Sequence, residues 1–329
     1  MKILIIGNED RYRKYMPDLE IIRQITMVFC PRGASDEELL EAAWDADAIS
    51  IDPVARLSGN VIRQMPKLKI IQSEGVGFNG IDCQTAKEKG IYVCNCKGAN
   101  AGAVAEQAIL LMLALLRSII TGDRLEREGR QMEMKERLMY EGIAELGDCK
   151  IGLIGLGDIA KAAAKRLLPF ECEIFYYDKS RAPQELEEEY HVSYMELDKM
   201  ISTCDIISLH CPVTPETVGM VNAEFLSKMK TTAYLINTAR GDIVDNQALY
   251  DAVVMGEIRG VGLDTVYPEP TTRDNVLLNL PEECKERIIF SPHIGGITTS
   301  FFRRAHVLNW GNVETALNGK RPQHIVNGL

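Results

Sequence analysis

The chain has 329 residues, a formal net charge of −10 and 46% hydrophobic residues. That length accommodates two domains with a sizeable core, at roughly 100–200 residues each. An acidic chain without a basic stripe lacks the clustered Lys and Arg that a nucleic-acid surface needs. The 9 cysteines form no paired framework, which points to a reduced, intracellular chain. Cys94-x-Cys96 lacks the spacing of a zinc site, so no metal is expected.

In chain order, Met1-Lys-Ile-Leu-Ile-Ile-Gly7 is too short an apolar run for a signal peptide and reads as a first strand. Strands are predicted over Lys2–Ile6, Ala48–Ile51, Leu68–Gln72 and Ile91–Cys94. Helices are predicted over Asp36–Trp44, Asn60–Gln64 and Asp82–Lys89, which gives the alternation of a parallel sheet. Asn100 reads as the N-cap of a long helix. The longest apolar run, Ala103–Ile120, is interrupted by Glu106 and Gln107 and closed by Arg117. It therefore reads as a buried helix rather than a membrane span, and a cytoplasmic chain with no membrane partner is expected. Residues 123–146 are charged and Met-rich, which suits either a solvated segment or an arm packed on a partner subunit. The arm is favoured because the segment joins two domains and carries Met and Leu among its charges.

A second alternation begins at Lys150, with strands predicted over Ile151–Ile154, Glu173–Tyr177, Ile206–His210, Ala233–Asn237, Gly260–Leu263 and Ile288–Ser291. A helix over about Thr299–Leu317 follows, stopped by Asn318-Gly319. The most specific stretch lies at the start of this half. An apolar strand runs into Gly155-x-Gly157-x-x-Ala160, then a helical run over Ala160–Leu168, then a strand ending on Asp178. Gly155 permits a tight turn, Gly157 lets the backbone approach a pyrophosphate, and Ala160 allows close helix–strand packing. Free N–H groups at the helix start face the phosphates. Asp178 sits where a carboxylate accepts hydrogen bonds from the adenosine ribose and repels a 2′-phosphate, so NAD is the expected cofactor. A GxGxxA alone is weak evidence, but the flanking strand, helix and acid make it a dinucleotide fingerprint of the Rossmann type.

Three further residues fall after predicted strands, at the edge where open α/β sheets bind ligands. Arg240 follows Tyr-Leu-Ile-Asn237, Glu269 follows Gly262-Leu-Asp-Thr-Val-Tyr-Pro268, and His293 follows Ile-Ile-Phe-Ser-Pro292. Reducing a 2-oxo acid requires a planar cation to hold its carboxylate and polarise its carbonyl, which suits arginine. It also requires a group titrating near neutrality to protonate the developing alkoxide, which suits histidine, and a carboxylate to fix that histidine's tautomer. Singly, Arg240 reads as a surface arginine, Glu269 as a turn residue between prolines and His293 as a satisfied core histidine. Their joint placement beside the fingerprint favours Arg240, Glu269 and His293 as a catalytic set.

Several segments carry a family resemblance: Gly75-Val-Gly-Phe-Asn-Gly-Ile-Asp82, Gly98-Ala-Asn-Ala-Gly-Ala-Val-Ala-Glu106, Gly152-Leu-Ile-Gly-Leu-Gly-Asp-Ile159, His210-Cys-Pro-Val-Thr-Pro-Glu-Thr217, Asn237–Asp245, Leu263-Asp264 to Glu269-Pro270, and Pro292-His-Ile-Gly-Gly296. Together they make the chain resemble the D-isomer-specific 2-hydroxyacid dehydrogenases, which include D-lactate, D-3-phosphoglycerate and glyoxylate/hydroxypyruvate-type enzymes. The resemblance implies an α/β chain of two Rossmann-like domains with doubly wound parallel sheets. A discontinuous substrate-binding domain (1–100 plus 297–329) would flank an NAD-binding domain (101–296), with the active site in the cleft between them. Arg240, Glu269 and His293 would act as above on a 2-hydroxy/2-oxo acid, with Arg240 and His293 also bordering the cofactor. The backbone of Val76 and Gly77 would meet the substrate carboxylate, and Asp158 and Ile159 the pyrophosphate. Thr238 and Ala239 would lie on the nicotinamide side and Asp264 at the carboxamide. His210, Cys211 and Pro212 would lie along the adenosine half. A homodimer is implied as well.

The chain departs from the family pattern at Cys96-Lys97 and at Gln107. These positions leave the Arg–Glu–His set intact and bear on the choice of substrate. Lys97 is either a surface lysine or a cation for a second anionic group. Two other activities suit the same fold: an NAD(H)-sensing corepressor-like binding protein and a formate- or phosphite-type dehydrogenase. The Glu–His pair favours a proton-donating reductase over the latter.

Overall fold

All named strands pair in parallel, in a five-stranded and a seven-stranded sheet. The structure is a computed structural model describing residues 1–329. The chain divides into two units, Met1–Asn100 with Ile297–Leu329, and Ala101–Gly296.

The first unit opens with β1 (Lys2–Ile6), α1 (Glu9–Tyr15), α2 (Glu20–Gln24), β2 (Thr26–Cys30), α3 (Asp36–Ala43) and β3 (Ala48–Ile51). It continues with α4 (Gly59–Gln64), β4 (Ile70–Ser73), α5 (Cys83–Glu88) and β5 (Tyr92–Cys94). The strand order is β2-β1-β3-β4-β5, a doubly wound arrangement. β1, β3 and β4 are buried on both faces, as parallel strands covered by helices must be, with Lys2 at the start of β1 half-buried. Side chains of Asn8, Ser35, Ser58 and Asp82 cap α1, α3, α4 and α5, satisfying amides that the helices leave free. The sequence reading did not include α1, α2 and β2. α1 buries only Tyr12, so it carries no apolar period, and β2 is an edge strand that is mostly half-exposed.

The second unit opens with α6 (Ala101–Leu116), α7 (Ile119–Arg127) and α8 (Gln131–Glu141), followed by β6 (Lys150–Ile154), α9 (Asp158–Leu167) and β7 (Glu173–Tyr177). Then come α10 (Gln184–Tyr190), β8 (Ser193–Tyr194), α11 (Leu197–Thr203), β9 (Ile206–Leu209), α12 (Ala223–Lys228) and β10 (Tyr234–Asn237). α13 (Asn246–Met255), β11 (Gly260–Leu263) and β12 (Ile288–Phe290) complete it. The sheet order is β12-β11-β10-β9-β6-β7-β8, so the order reverses between β6 and β9. The short edge strand β8 is an addition to the strands the sequence indicated. α6 is apolar nearly all round and is buried against β10 and β11. α7 and α8 form the charged segment and expose Ile119, Ile120, Met132, Met139 and Tyr140. No single helix is long and apolar enough to cross a membrane.

The last helix, α14 (Thr299–Leu317), belongs to the first unit. Its Trp310, Val313 and Ala316 pack with Ile3, Ile5 and Ile70 on one face of the five-stranded sheet. Leu39, Val61 and Ile62 cover the other face. Thr298 caps α14, and Gly319 (φ +73°) follows its C-terminus, as Asn318-Gly319 indicated.

Candidate active site

Doubly wound sheets bind ligands beyond the carboxyl ends of the strands, where the strand order reverses. Gly155 occupies that point, at the tip of β6. It adopts φ +95°, and a Cβ there would lie 2.9 Å from the Cys211 nitrogen and 3.0 Å from the His210 carbonyl carbon. Only glycine allows this turn to pass so close to the chain leaving β9. Gly157 begins α9 with no side-chain cap, and a Cβ there would meet nothing within 4 Å. The first amides of α9, at Asp158 and Ile159, therefore open onto free space at the positive end of the helix dipole. Ala160 is fully buried.

Asp178 ends the next strand. Its Oδ2 accepts the Leu156 N–H at 2.9 Å and its Oδ1 the Lys179 N–H at 2.8 Å. Each carboxylate oxygen retains a lone pair for a ribose hydroxyl. The neighbouring cations are already paired, Lys179 with Glu216 at 3.2 Å and Arg181 with Glu187 at 2.9 Å.

Three buried polar atoms at successive strand ends have no protein partner: His210 Nδ1, Thr238 Oγ1 and Thr265 Oγ1. His210 Nε2 lies 2.9 Å from Ser208 Oγ, and burial pushes its pKa down to about 4, so the ring is neutral at pH 7. Burial pushes the Cys211 thiol up to about 11, which makes it a packing group rather than a nucleophile. The Pro212 carbonyl accepts the Thr217 hydroxyl at 2.7 Å. Free helix amides, an anchored acid and this row of unpaired polar atoms fit a dinucleotide along the carboxyl edge of the second sheet.

Arg240, Glu269 and His293 follow β10, β11 and β12, whose registers align Asn237 with Leu263 and Leu263 with Phe290. Buried Asn237 shapes the first loop, donating from Nδ2 to the Arg240 carbonyl at 2.9 Å and accepting the Ala239 N–H at 3.0 Å. Arg240 is exposed, and its Nη1 donates to the Ala239 carbonyl at 2.7 Å. His293 adopts φ +52°, and its Nδ1 lies 2.9 Å from Glu269 Oε1 and 3.1 Å from Oε2. With Nδ1–H given to the carboxylate, Nε2 is the free ring atom.

Asp264 is buried, and its carboxylate serves the His293 loop. Oδ1 accepts the Ser291 hydroxyl and the Ile294 N–H, and Oδ2 accepts the Gly295 N–H. Gln107 donates to Ser291 Oγ. The sequence marked Gln107 only as a departure, and nothing in it tied that residue to a loop 184 positions away.

Val76 and Gly77 lie in the other unit, in the loop after β4. Their carbonyls accept Asn95 Nδ2 at 2.8 Å and Ser73 Oγ at 2.6 Å, while their N–H groups have no partner in the protein. Such a loop can bind a carboxylate through its backbone. Just before it, buried Glu74 pairs with Arg11, which also reaches Asp52 at 3.0 Å; Arg32 reaches the same Asp52 at 2.9 Å. Burial pushes Glu74 up to about 7 despite Arg11, whose charge Asp52 shares. Nothing in the sequence signals this cluster. Lys97 is exposed beside the loop after β5.

Residues 109–295 match the family model described as D-isomer specific 2-hydroxyacid dehydrogenase, NAD binding domain. The chain is 37% identical over 293 residues to a glyoxylate reductase of Thermofilum pendens, covering 89% of this chain and 85% of that protein. It is 37% identical over 273 residues to a hydroxypyruvate reductase of Thermotoga maritima, covering 82% and 85%. The structure of D-lactate dehydrogenase with NAD+ from Lactobacillus jensenii superimposes with a TM-score of 0.83 at 27% identity, over 99% of each chain. With the fingerprint at the switch point of its second sheet, the chain belongs to the D-isomer specific 2-hydroxyacid dehydrogenases, enzymes that depend on NAD.

Proposed function

We propose that the protein interconverts a small 2-oxo acid and its D-2-hydroxy acid, with His293 as the proton donor and acceptor, Glu269 as its partner and Arg240 as the carboxylate clamp. The observation that carries this reading is the contact of 2.9 Å between His293 Nδ1 and Glu269 Oε1 on adjacent strand-end loops, downstream of the fingerprint. NAD(H) supplies or accepts a hydride at the substrate C2 when bound. Asp158 and Ile159 amides hold its pyrophosphate, Asp178 its ribose, and His210, Cys211, Pro212, Thr238 and Ala239 line its path. In the reducing direction, His293 Nε2 gives its proton to the oxygen that becomes the hydroxyl, while Glu269 stabilises the imidazolium before transfer. Arg240 holds the substrate carboxylate with its planar fork and polarises the adjacent carbonyl. The free N–H groups of Val76 and Gly77 are backbone donors suited to a carboxylate.

The similar proteins named as glyoxylate and hydroxypyruvate reductases make these small oxo acids the first candidates. A second copy of the chain covers the apolar side chains on α7 and α8, which gives a homodimer. The test is NADH consumption across a panel of 2-oxo acids, from glyoxylate and hydroxypyruvate to phosphohydroxypyruvate, pyruvate and branched or aromatic acids. Turnover that disappears in His293→Ala supports the assignment. Retained NADH binding without turnover of any acid would instead favour a nucleotide-sensing protein.

A further inference from the structure

The loop that carries His293 has little freedom of its own. Besides the Asp264 carboxylate, the Asp264 main-chain carbonyl holds it, accepting the His293 N–H at 2.8 Å. The side-chain bonds from Ser291 Oγ, Ile294 N and Gly295 N measure 2.5, 3.0 and 2.9 Å. These bonds hold the histidine at φ +52°, a conformation that costs free energy for any residue with a Cβ.

Gln107, on α6, completes the arrangement from behind. Its Nε2 donates to Ser291 Oγ at 2.9 Å. Ser291 has one hydroxyl proton, and the Asp264 carboxylate can only accept, so that proton goes to Asp264. The serine oxygen is then left to accept, which only the nitrogen end of the Gln107 amide can satisfy. The direction of the relay is thus fixed from Gln107 to Ser291 to Asp264. Gln107 also packs on the loop, because a Cβ at Gly295 would lie 3.2 Å from Gln107 Cβ and 3.3 Å from its Cγ.

We propose that Gln107 is a positioning residue for His293, acting through Ser291 and Asp264 to set the height of the imidazole at the sheet edge. The inference rests on His293 being the proton donor. It assigns a role to the side chain at which this chain departs from the family pattern, and it identifies Ser291 as the intermediate.

The test compares Gln107→Leu, which keeps bulk against Gly295 but removes the donor, with Ser291→Ala, Ser291→Thr and the Gln107→Leu/Ser291→Ala double variant. The expected result for Gln107→Leu is a kcat reduced about 10- to 100-fold, the cost of a small misplacement of a reacting group. KM for the oxo acid, NADH affinity by fluorescence titration and the melting temperature should stay near wild type. Ser291→Thr should restore most of the rate lost in Ser291→Ala, and the double variant should be no slower than the worse single one. Wild-type kcat in Gln107→Leu, additive losses, or a loss accompanied by equal losses of NADH binding and thermal stability would overturn the proposal. His293→Ala separates the two levels. If that variant is inactive while Gln107→Leu is fully active, only the positioning role fails. If His293→Ala keeps wild-type kcat, the assignment of the acid fails and the positioning role fails with it.

Discussion

A Cβ on Gly241 would lie 2.2 Å from the backbone nitrogen of Tyr267, so the loop after β10 and the loop after β11 touch main chain to main chain. This contact sits immediately after Arg240 and shortly before Glu269 in their respective loops. Any side chain at Gly241 must push the loops apart, and backbone cannot move aside as the end of a flexible side chain can. Gly241→Ala is expected to lower kcat/KM at least about 10-fold by displacing Arg240, in keeping with the cost of small misplacements. Steady-state kinetics with the best oxo acid would check this, and a variant as fast as wild type would count against the contact's importance.

Arg240→Lys keeps the charge and loses the fork. A hydrogen bond to a charged group contributes about 1.5–3 kcal/mol, and the fork geometry suits a carboxylate in a way an ammonium does not. The expected outcome is a kcat/KM lower by about 10- to 100-fold, with NADH affinity unchanged. Initial-rate measurements over a range of oxo acid concentrations give the split between KM and kcat.

Glu269→Gln keeps a hydrogen-bond acceptor near His293 Nδ1 and removes the negative charge that stabilises the imidazolium. A fall in kcat is expected, smaller than the roughly 10²–10⁴-fold that loss of a general acid produces in His293→Ala. If the two variants were equally slow, Glu269 would be more than a partner and would itself meet the substrate.

Nucleotide choice should hinge on Asp178. The cations beside it, Lys179 and Arg181, are tied to Glu216 and Glu187. Asp178→Asn should weaken NADH binding and narrow the preference over NADPH by about 10-fold, roughly 1.4 kcal/mol of lost discrimination. Fluorescence titration with both nucleotides measures the ratio directly.

Glu74 makes the first unit sensitive to pH. Its pKa is raised from 4.5 to about 7 by burial, so the folded state holds a proton that the unfolded chain has released. Over that window the folded state binds more protons than the unfolded one, and stability falls as pH rises from about 4.5 to about 7. At about 1.4 kcal/mol per pKa unit, the contribution is on the order of 3 kcal/mol. Buried His306 works in the opposite sense. Its pKa is lowered to about 4, so its contribution falls away as pH drops below about 6.5. Comparing urea midpoints of wild type and Glu74→Gln across this range isolates the Glu74 slope, and parallel curves would show that Glu74 titrates normally.

The glycine turn after β6, the start of α9 and the acid that ends β7 were legible in the sequence because each of these positions is constrained separately. Gly155 must turn, Gly157 must be open, Ala160 must be small, and Asp178 must end a strand. The same holds for Arg240, Glu269 and His293, each of which follows a short apolar strand that announces itself. α1 and β2 were not legible, because one buries a single side chain and the other sits half-exposed at a sheet edge. The support behind His293 was hidden for a different reason. Gln107, Asp264 and Ser291 come from three elements far apart in the chain, and only the folding of α6 beneath β11 brings them together. The Arg11–Asp52–Glu74 cluster likewise joins α1 to the loops after β3 and β4.

The second unit, Ala101–Gly296, is one unbroken stretch set inside a first unit assembled from both ends of the chain. The fingerprint glycines, Asp178, Arg240, Glu269, Gln107 and His293 all fall within that stretch. A gene segment with just two junctions would therefore transplant the nucleotide cradle and the ionisable set together, their mutual geometry intact. The loop at Val76 and Gly77 would come from whichever host received it. Chimaeras cut after Asn100 and before Ile297 thus keep Gln107, Arg240, Asp264, Glu269 and His293 on one piece while exchanging the loop at Val76 and Gly77.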